Sequence, residues 1–302
     1  MAFGLTLKKA AAAALAPALF ATAAFFANPA QANDGPALWK LSDEDSNIYL
    51  FGTIHILKPD TKWRTDKINT AFNSSKTVYF EAPDNMSAQE QQTFAMPYML
   101  NPQGVTLSSQ LDDKAKNAMY SAMQSIGIPK EAAANFEPFR PWATGLSLGV
   151  LQIMQNGYNP ESGVEKVLTV DAKQQGKTLA YFETPEYQMN VLSGASKEEE
   201  LKFFTYGLEH FDETSETLDS MVATWSTGKD VELAKILNSG LEFVPNFKKA
   251  LLDTRNANWA EKIDELMKGS GDIFIAVGAG HLAGKNSVQE LLEAKGYKVV
   301  RQ

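Results

Sequence analysis

The stretch Asn47-Ile48-Tyr49-Leu50-Phe51-Gly52-Thr53-Ile54-His55 decides how the rest of the chain is read. Residues 47–51 form a run of β-branched, aromatic and aliphatic residues stopped by a glycine, the pattern of a buried strand. A histidine follows three residues after that glycine, so an imidazole stands just beyond a strand's carboxyl end. In open α/β sheets this is the edge where ligands bind. Three more runs repeat the pattern. Thr77-Val78-Tyr79-Phe80 leads to Glu81, Thr178-Leu179-Ala180-Tyr181-Phe182 leads to Glu183, and Asp272-Ile273-Phe274-Ile275-Ala276-Val277 leads to Gly278-Ala279-Gly280-His281. A short final strand is expected from Tyr297 to Arg301.

Between these runs the pattern is helical. Apolar residues recur at helical spacing from Pro138 to Gln155, and Gly157-Tyr158-Asn159-Pro160 stops them. A long acidic helix is expected from Ser196 to Thr227, and two more from Val244 to Leu252 and from Asn256 to Lys268. Strands alternating with helices give an α/β class. The expected architecture is small β-sheets surrounded by many helices, with helical insertions at about 84–177 and 186–268 in a single domain over 33–302. Tyr79-Phe80-Glu81-Ala82-Pro83 and Tyr181-Phe182-Glu183-Thr184-Pro185 differ at one position. With the two Gly-x-x-His elements they give the order His, Glu, Glu, His, which suggests two half-sheets related by pseudo-symmetry.

The first residues read as a leader. Lys8-Lys9 precede an alanine-rich apolar run from Ala10 to Ala27, and Ala30-Gln31-Ala32 offers the small residues a signal peptidase reads. Residues 1–32 are therefore expected to be a signal peptide cut after Ala32, with the mature chain periplasmic or secreted and without an integral membrane segment. There are no cysteines, which excludes disulfides, thiolate metal sites and cysteine nucleophiles. The net charge of −8 and the lack of a dense basic patch argue against nucleic acid as a partner.

Three histidines occur. His55 and His281 share one frame, and Glu81 and Glu183 share another. Two imidazoles with one or two carboxylates form a nitrogen–oxygen donor set suited to Zn, Mn, Co or Fe. Such a site lowers the pKa of bound water and polarises a carbonyl, the requirements of hydrolysis. A histidine after a strand is, taken singly, more often a hydrogen-bonded turn residue than a ligand; the repetition of the frame favours a site. His210, beside Glu209 and Asp212, reads as a solvated or capping residue. Arg255-Asn256 would clamp a substrate carboxylate or simply pair locally, and Glu165 reads as either a further carboxylate or a surface residue near a helix N-terminus. No G-x-S-x-G elbow, P-loop or G-x-G-x-x-G fingerprint is present.

In order along the chain, Leu38-Trp39, Leu50 to His55, Phe80-Glu81, Arg140-Pro141-Trp142, Gly163-Val164-Glu165, Phe182-Glu183-Thr184 with Gln188, Arg255-Asn256 with Trp259, Val277 to Leu282, and Gly296-Tyr297 resemble the TraB/GumN family. Its animal relatives include the Tiki proteases. The resemblance implies an α/β core similar to that of erythromycin esterase and ChaN proteins. It also implies a divalent ion (Mn, Co or Zn) on His55, Glu81 and His281. Glu183 would be a further ligand or the general base, and Arg255 and Asn256 would position substrate or support the ligands. The expected function is an exported metal-dependent hydrolase of a peptide or small molecule, a peptidase first. The alternatives are a small-molecule ester or amide hydrolase, or a non-catalytic binder of a peptide or haem. Glu165 stands where many members carry Asp, and Phe182 where many carry Leu; neither departure removes a candidate ligand.

Overall fold

The computed structural model describes residues 35–302, so the leader and cleavage site expected within residues 1–32 lie outside the described residues. Strand β1 (Leu38–Ser42) turns tightly into β2 (Ser46–Thr53). Asp43 closes the turn, its Oδ1 accepting the backbone N–H of Asp45 at 3.2 Å and of Ser46 at 2.8 Å, a local bond that aspartate readily makes. β1 is absent from the strands expected above; what makes it a strand is its pairing with β2 on one side and the chain's end on the other. β3 (Thr77–Phe80), β4 (Thr178–Tyr181) and β5 (Gly271–Gly278) lie where the sequence puts them. β6 is shorter than expected, Val300–Arg301 alone, because Tyr297 turns aside to give its hydroxyl proton to Asp264 at 2.7 Å.

All six strands form one sheet in the order β4-β3-β5-β2-β1-β6. The expected pair of half-sheets is thus a single sheet. The two strands ending in Tyr-Phe-Glu lie side by side and parallel, as do the two ending in Gly-x-x-His, and the β3–β5 ladder joins the pairs. Four neighbouring parallel strands therefore release Glu183, Glu81, His281 and His55 at one edge. β1 runs antiparallel to β2 and β6.

Among the described residues the helices are α1 (Asp66–Ser74), α2 (Ala88–Met99), α3 (Asp113–Ser125), α4 (Pro141–Gln155), α5 (Val164–Gln174), α6 (Pro185–Ser193), α7 (Lys197–Glu209), α8 (Thr214–Ser226), α9 (Asp230–Ser239), α10 (Pro245–Lys248), α11 (Thr254–Leu266) and α12 (Val288–Ala294). The period-2 alternation of the strands sorts their side chains to two faces. Phe51, Val78, Phe80, Phe274 and Ala276 pack with residues of α1, α5, α8 and α9. Ile48, Leu50, Ile275 and Val277 pack with residues of α11 and α12. Ile48, Leu50 and Phe51 have no exposed surface, and full burial of such side chains contributes roughly 1.5–3 kcal/mol each. A third core contains no strand: Met119 and Met123 of α3, Leu148 of α4, and Phe204 and Leu208 of α7 pack together. Of these described helices, none is long and apolar enough to cross a membrane.

Three helix expectations change. The run from Pro138 starts its helix only at Pro141, whose fixed φ suits the first turn. The long helix from Ser196 to Thr227 breaks at His210, where Phe211 turns into the third core and its carbonyl accepts Gln152 Nε2 at 2.7 Å. The two helices expected at 244–252 and 256–268 run on without a break, α10 leading through a π-turn at Lys249–Asp253 into α11. Such turns shift the helical register by one residue and are frequent at functional sites; this one directly precedes Arg255-Asn256.

Candidate active site

The four strand ends meet around Gly278. A β-carbon built on that glycine would stand 3.1 Å from Glu81 Oε1, 3.4 Å from His55 Nε2 and 3.7 Å from His281 Cδ2. Glycine there leaves a cradle into which one carboxylate and two imidazoles converge. The Gly278 N–H also donates to Glu81 Oε1 at 2.7 Å, and His281 Nε2 lies 3.8 Å from the same oxygen.

His281 is buried, and its tautomer follows from its neighbours. Arg255 Nη1 stands 3.0 Å from His281 Nε2. A guanidinium can only donate, so Nε2 accepts and the ring proton sits on Nδ1. Nδ1 donates to Asn256 Oδ1 at 2.6 Å. The Asn256 amide is itself fixed, because its Nδ2 donates to the Asn286 carbonyl at 2.8 Å. The ring also packs on Trp259 with centroids 4.3 Å apart. Burial pushes the His281 pKa down to about 3; Glu81 opposes this, while Arg255 and His55 add to it. At neutral pH it presents an uncharged Nε2 lone pair.

His55 is held the other way. Its Nδ1 is 2.7 Å from Glu165 Oε1, which Thr53 Oγ1 also approaches. The Glu165 carboxylate raises its pKa to about 9 against the opposing effect of burial. Protein surrounds the ring within the cleft, yet 68% of its side chain is open to solvent, so solvent and salt weaken that pairing. Glu165 reaches His55 because Gly163 lets the start of α5 dock on the end of β2. A β-carbon at Gly163 would fall 2.1 Å from the His55 carbonyl oxygen, and Val164 N–H donates to the Ile54 carbonyl at 3.1 Å. Glu165 Oε2 is buried without a hydrogen-bond partner among the described residues.

Arg255 ties the carboxylates together. Its Nη2 donates to Glu81 Oε2 at 2.7 Å and to Glu183 Oε2 at 2.8 Å, and its Nε to Glu183 Oε1 at 2.8 Å. Nη1 also donates to the Leu251 carbonyl at 3.0 Å. Trp259 Nε1 donates to Glu183 Oε1 at 2.9 Å, and Gln188 Nε2 donates to Glu81 Oε2 at 3.0 Å. Burial alone would raise the Glu81 pKa. His281, Arg255, His55 and the Gly278 N–H outweigh it and bring it down to about 2. With His281 neutral near pH 7, Arg255, His55 and the N–H keep Glu81 ionised.

All six residues proposed from the sequence thus gather at one edge. Glu183 is the one whose position departs from its expected use. Both its oxygens are engaged by Arg255 and Trp259, and its side chain is buried away from the cleft, so it holds Arg255 in place. Glu165, read above as a surface residue at least as readily as a site carboxylate, is in the site beside His55. Gln188 and Trp259 also touch it; they stand out in the sequence only through the family resemblance. His210 lies apart at the end of α7, its Nδ1 3.1 Å from Glu213.

In front of the site is a cleft of about 460 Å³ lined by His55, Glu81, Glu165, Arg255 and Gln188, with aliphatic residues of the surrounding helices. The donor chemistry suits a divalent ion, since each imidazole is held through Nδ1 and presents Nε2. The cradle at Gly278 gives such an ion room. The contacts as they stand do not enclose one. Among the described residues no three His, Cys, Asp or Glu side chains are grouped to hold a metal. Arg255 occupies both His281 Nε2 and Glu81 Oε2, so binding requires the guanidinium to give up His281.

Residues 37–301 match the model of the TraB/PrgY/gumN family. The chain belongs to the TraB/PrgY/gumN family. A relative within reach of this TraB/PrgY/gumN protein is a protein named "Metalloprotease TIKI homolog" from Nematostella vectensis, 23% identical over 328 residues, covering 89% of this chain and 67% of the relative.

The two site histidines of this TraB/PrgY/gumN protein are expected to have pKa values displaced in opposite directions when it is metal-free. His55 keeps both ring protons until pH approaches about 9, whereas His281 stays neutral down to about pH 3. Ring ¹⁵N shifts recorded from pH 4 to 10 test this, and two rings titrating together near 6.5 would overturn it. For stability, a raised histidine pKa stabilises the fold below the unfolded value near 6.5 and loses that effect as pH rises through about 9. Glu165→Gln, which removes the charge, is expected to bring the His55 pKa down.

Proposed function

We propose that the chain is a metal-dependent hydrolase, and more narrowly a peptidase acting outside the cytoplasm. The observation that carries this reading is the convergence of His55 Nε2, Glu81 Oε1 and the His281 ring on the cradle at Gly278. The relative named as a metalloprotease supports the same direction.

His55, Glu81 and His281 are the residues that would hold the ion. When bound, a divalent ion such as Mn, Co or Zn supplies Lewis acidity toward water and a carbonyl oxygen. The chain's own groups do the rest. Asn256 keeps the His281 proton on Nδ1, so Nε2 carries the lone pair an ion would take from Arg255. Glu165 fixes the His55 proton on Nδ1, so Nε2 is the nitrogen an ion would take, in place of the second ring proton that Glu165 retains on the metal-free ring. Arg255 has all five N–H donors engaged; the Nη1 donor it would give up at His281 is the one suited to a carbonyl or carboxylate oxygen of substrate, and Glu183 fixes its plane. Glu81 Oε1 is the ionised carboxylate oxygen nearest the cradle, facing the place an ion would take. Glu183 is not the base in this assignment, because both its oxygens are taken.

The second reading, a binding protein for a peptide or a hydrolase of small esters or amides, is favoured by one observation. Arg255 already fills the role of a cation between Glu81, Glu183 and His281. Metal analysis separates the two. Protein purified without its first 32 residues is expected to hold about one divalent ion per chain after incubation with Mn, Co or Zn, and to lose it in the His55→Ala, His281→Ala double variant. Equal metal content in both proteins, or none in either after reconstitution, removes the metal from the mechanism. Peptide turnover by the loaded protein then separates a hydrolase from a binder.

A further inference from the structure

Four aliphatic side chains come to the cleft from three separate helical segments: Leu146 of α4, Val191 and Leu192 of α6, and Leu251 of the π-turn. Leu146 is 53% exposed, and the other three are half-buried. One exposed leucine means little, since apolar atoms make up much of any protein surface. Four meeting in a single cleft that also holds convergent polar groups is the composition of a ligand site.

The helical positions of three of them tie the patch to the reactive groups, and Leu146 faces the same cleft. Gln188 of α6 donates to Glu81 Oε2, and Val191 and Leu192 lie three and four residues further along the same helix, on the same face. Leu251 precedes Arg255 by four residues, and its carbonyl accepts Arg255 Nη1. Val191 and Leu192 are about one helical turn, roughly 5.4 Å, from Gln188, and Leu251 touches Arg255 directly through its carbonyl. An extended peptide advances about 3.3 Å per residue. A side chain meeting these aliphatic residues therefore belongs to a residue within one or two positions of the group held at Glu81 and Arg255.

We infer that Leu146, Val191, Leu192 and Leu251 form a specificity subsite for a bulky aliphatic side chain within two residues of the bond that is cut. The inference deepens the peptidase reading and takes the location of the cut bond from it. Polar side chains at that position leave the leucines in water and gain nothing from the cleft, whereas leucine or isoleucine buries apolar surface against them.

The test uses the protein without its first 32 residues and a set of decapeptides carrying Leu or Ser at each central position. Cleavage with Mn or Co is measured for the native protein, for Leu146→Ser and for Leu146→Ser with Leu192→Ser. Equilibrium binding of the same peptides to His55→Ala is measured in parallel, with and without the two leucine substitutions. Native protein is expected to prefer Leu over Ser by at least about tenfold in kcat/KM at one position, the scale on which apolar pockets discriminate. The double leucine variant is expected to lose most of that preference while still cutting the serine peptides. Leu146→Ser alone changes an exposed position and serves if the double variant fails to fold. Cleavage without a Leu preference, or a preference unchanged by both variants, overturns the subsite and leaves the peptidase reading standing. No cleavage, but tighter binding of Leu peptides that depends on Leu146 and Leu192, overturns the peptidase reading and leaves the subsite. Neither cleavage nor selective binding overturns both.

Discussion

Arg255→Leu is expected to lower the unfolding free energy at pH 7 by about 3–5 kcal/mol, the scale seen when one partner of a buried ionic cluster is removed. Arg255 is buried and, among the described residues, supplies the only guanidinium in contact with Glu81 and Glu183, both largely out of solvent. Without it, Glu81 retains the Gly278 and Gln188 N–H donors and Glu183 retains Trp259 Nε1. Those bonds do not offset two buried negative charges. The sign of the pH dependence follows. In the native protein Glu81 sits at about 2, so its contribution is present above the unfolded carboxylate value and fades as pH falls through the folded one. In the variant, burial without the guanidinium raises the Glu81 carboxylate, and the penalty grows as pH rises past the unfolded value. The deficit against the native protein is therefore expected to shrink between pH 7 and pH 4. Urea denaturation at the two pH values checks it. A deficit below 1 kcal/mol at pH 7, or one that widens toward pH 4, would show that the cluster is not what fixes this edge of the sheet. Activity and stability fall together here, so the variant measures the scaffold of the site more than its chemistry.

The sequence discloses the strand ends because each is a short apolar run stopped by a glycine or a glutamate. Asn47 to Phe51, Thr77 to Phe80 and Asp272 to Val277 needed only local pattern to be read. Strand order is different. β5 enters between β3 and β2 through ladders to residues about 195 and 225 positions earlier (Val78 with Phe274, Ile48 with Ile273), and nothing within either run specifies that pairing. β1 escaped for the same reason: Leu38–Ser42 is a strand through its neighbours. The site divides similarly. His55, Glu81 and His281 are visible as repeated frames. Glu165 is not, since its role depends on Gly163 letting α5 settle against the His55 carbonyl. Glu183 looks equivalent to Glu81 in the repeat, yet the structure separates them. Glu81 takes the Gly278 N–H and faces the cradle, while Glu183 lies one strand further out against Arg255 and Trp259. The π-turn at Lys249–Asp253 is equally silent in the sequence, although it sets the phase that presents Arg255 and Asn256 together.

Gly278→Ala is expected to abolish most of the activity, about a hundredfold, while leaving the fold stable to within about 1 kcal/mol. The backbone at Gly278 has φ −50° and ψ 134°, which alanine adopts without strain, and the N–H bond to Glu81 does not depend on the side chain. Only the methyl group is new, and it enters at the point where the three groups converge, 3.1 Å from Glu81 Oε1 and 3.4 Å from His55 Nε2. One of them has to move by a few tenths of an ångström, and whatever occupies the cradle loses its room. The shift of the side chain alone is small; the expected loss comes from the methyl displacing what the cradle holds, and a misplacement near 1 Å there costs on the order of a hundredfold in rate. The substitution therefore separates a site that works through the cradle from one that works through Arg255 and the outer cleft. The readouts are peptide or ester turnover, ion content after reconstitution, and the urea midpoint. Lost turnover and lost ion with an unchanged midpoint would place the chemistry at the cradle. Native turnover in the alanine variant would move it outward, leaving His55 and His281 as groups that shape the floor of a binding cleft.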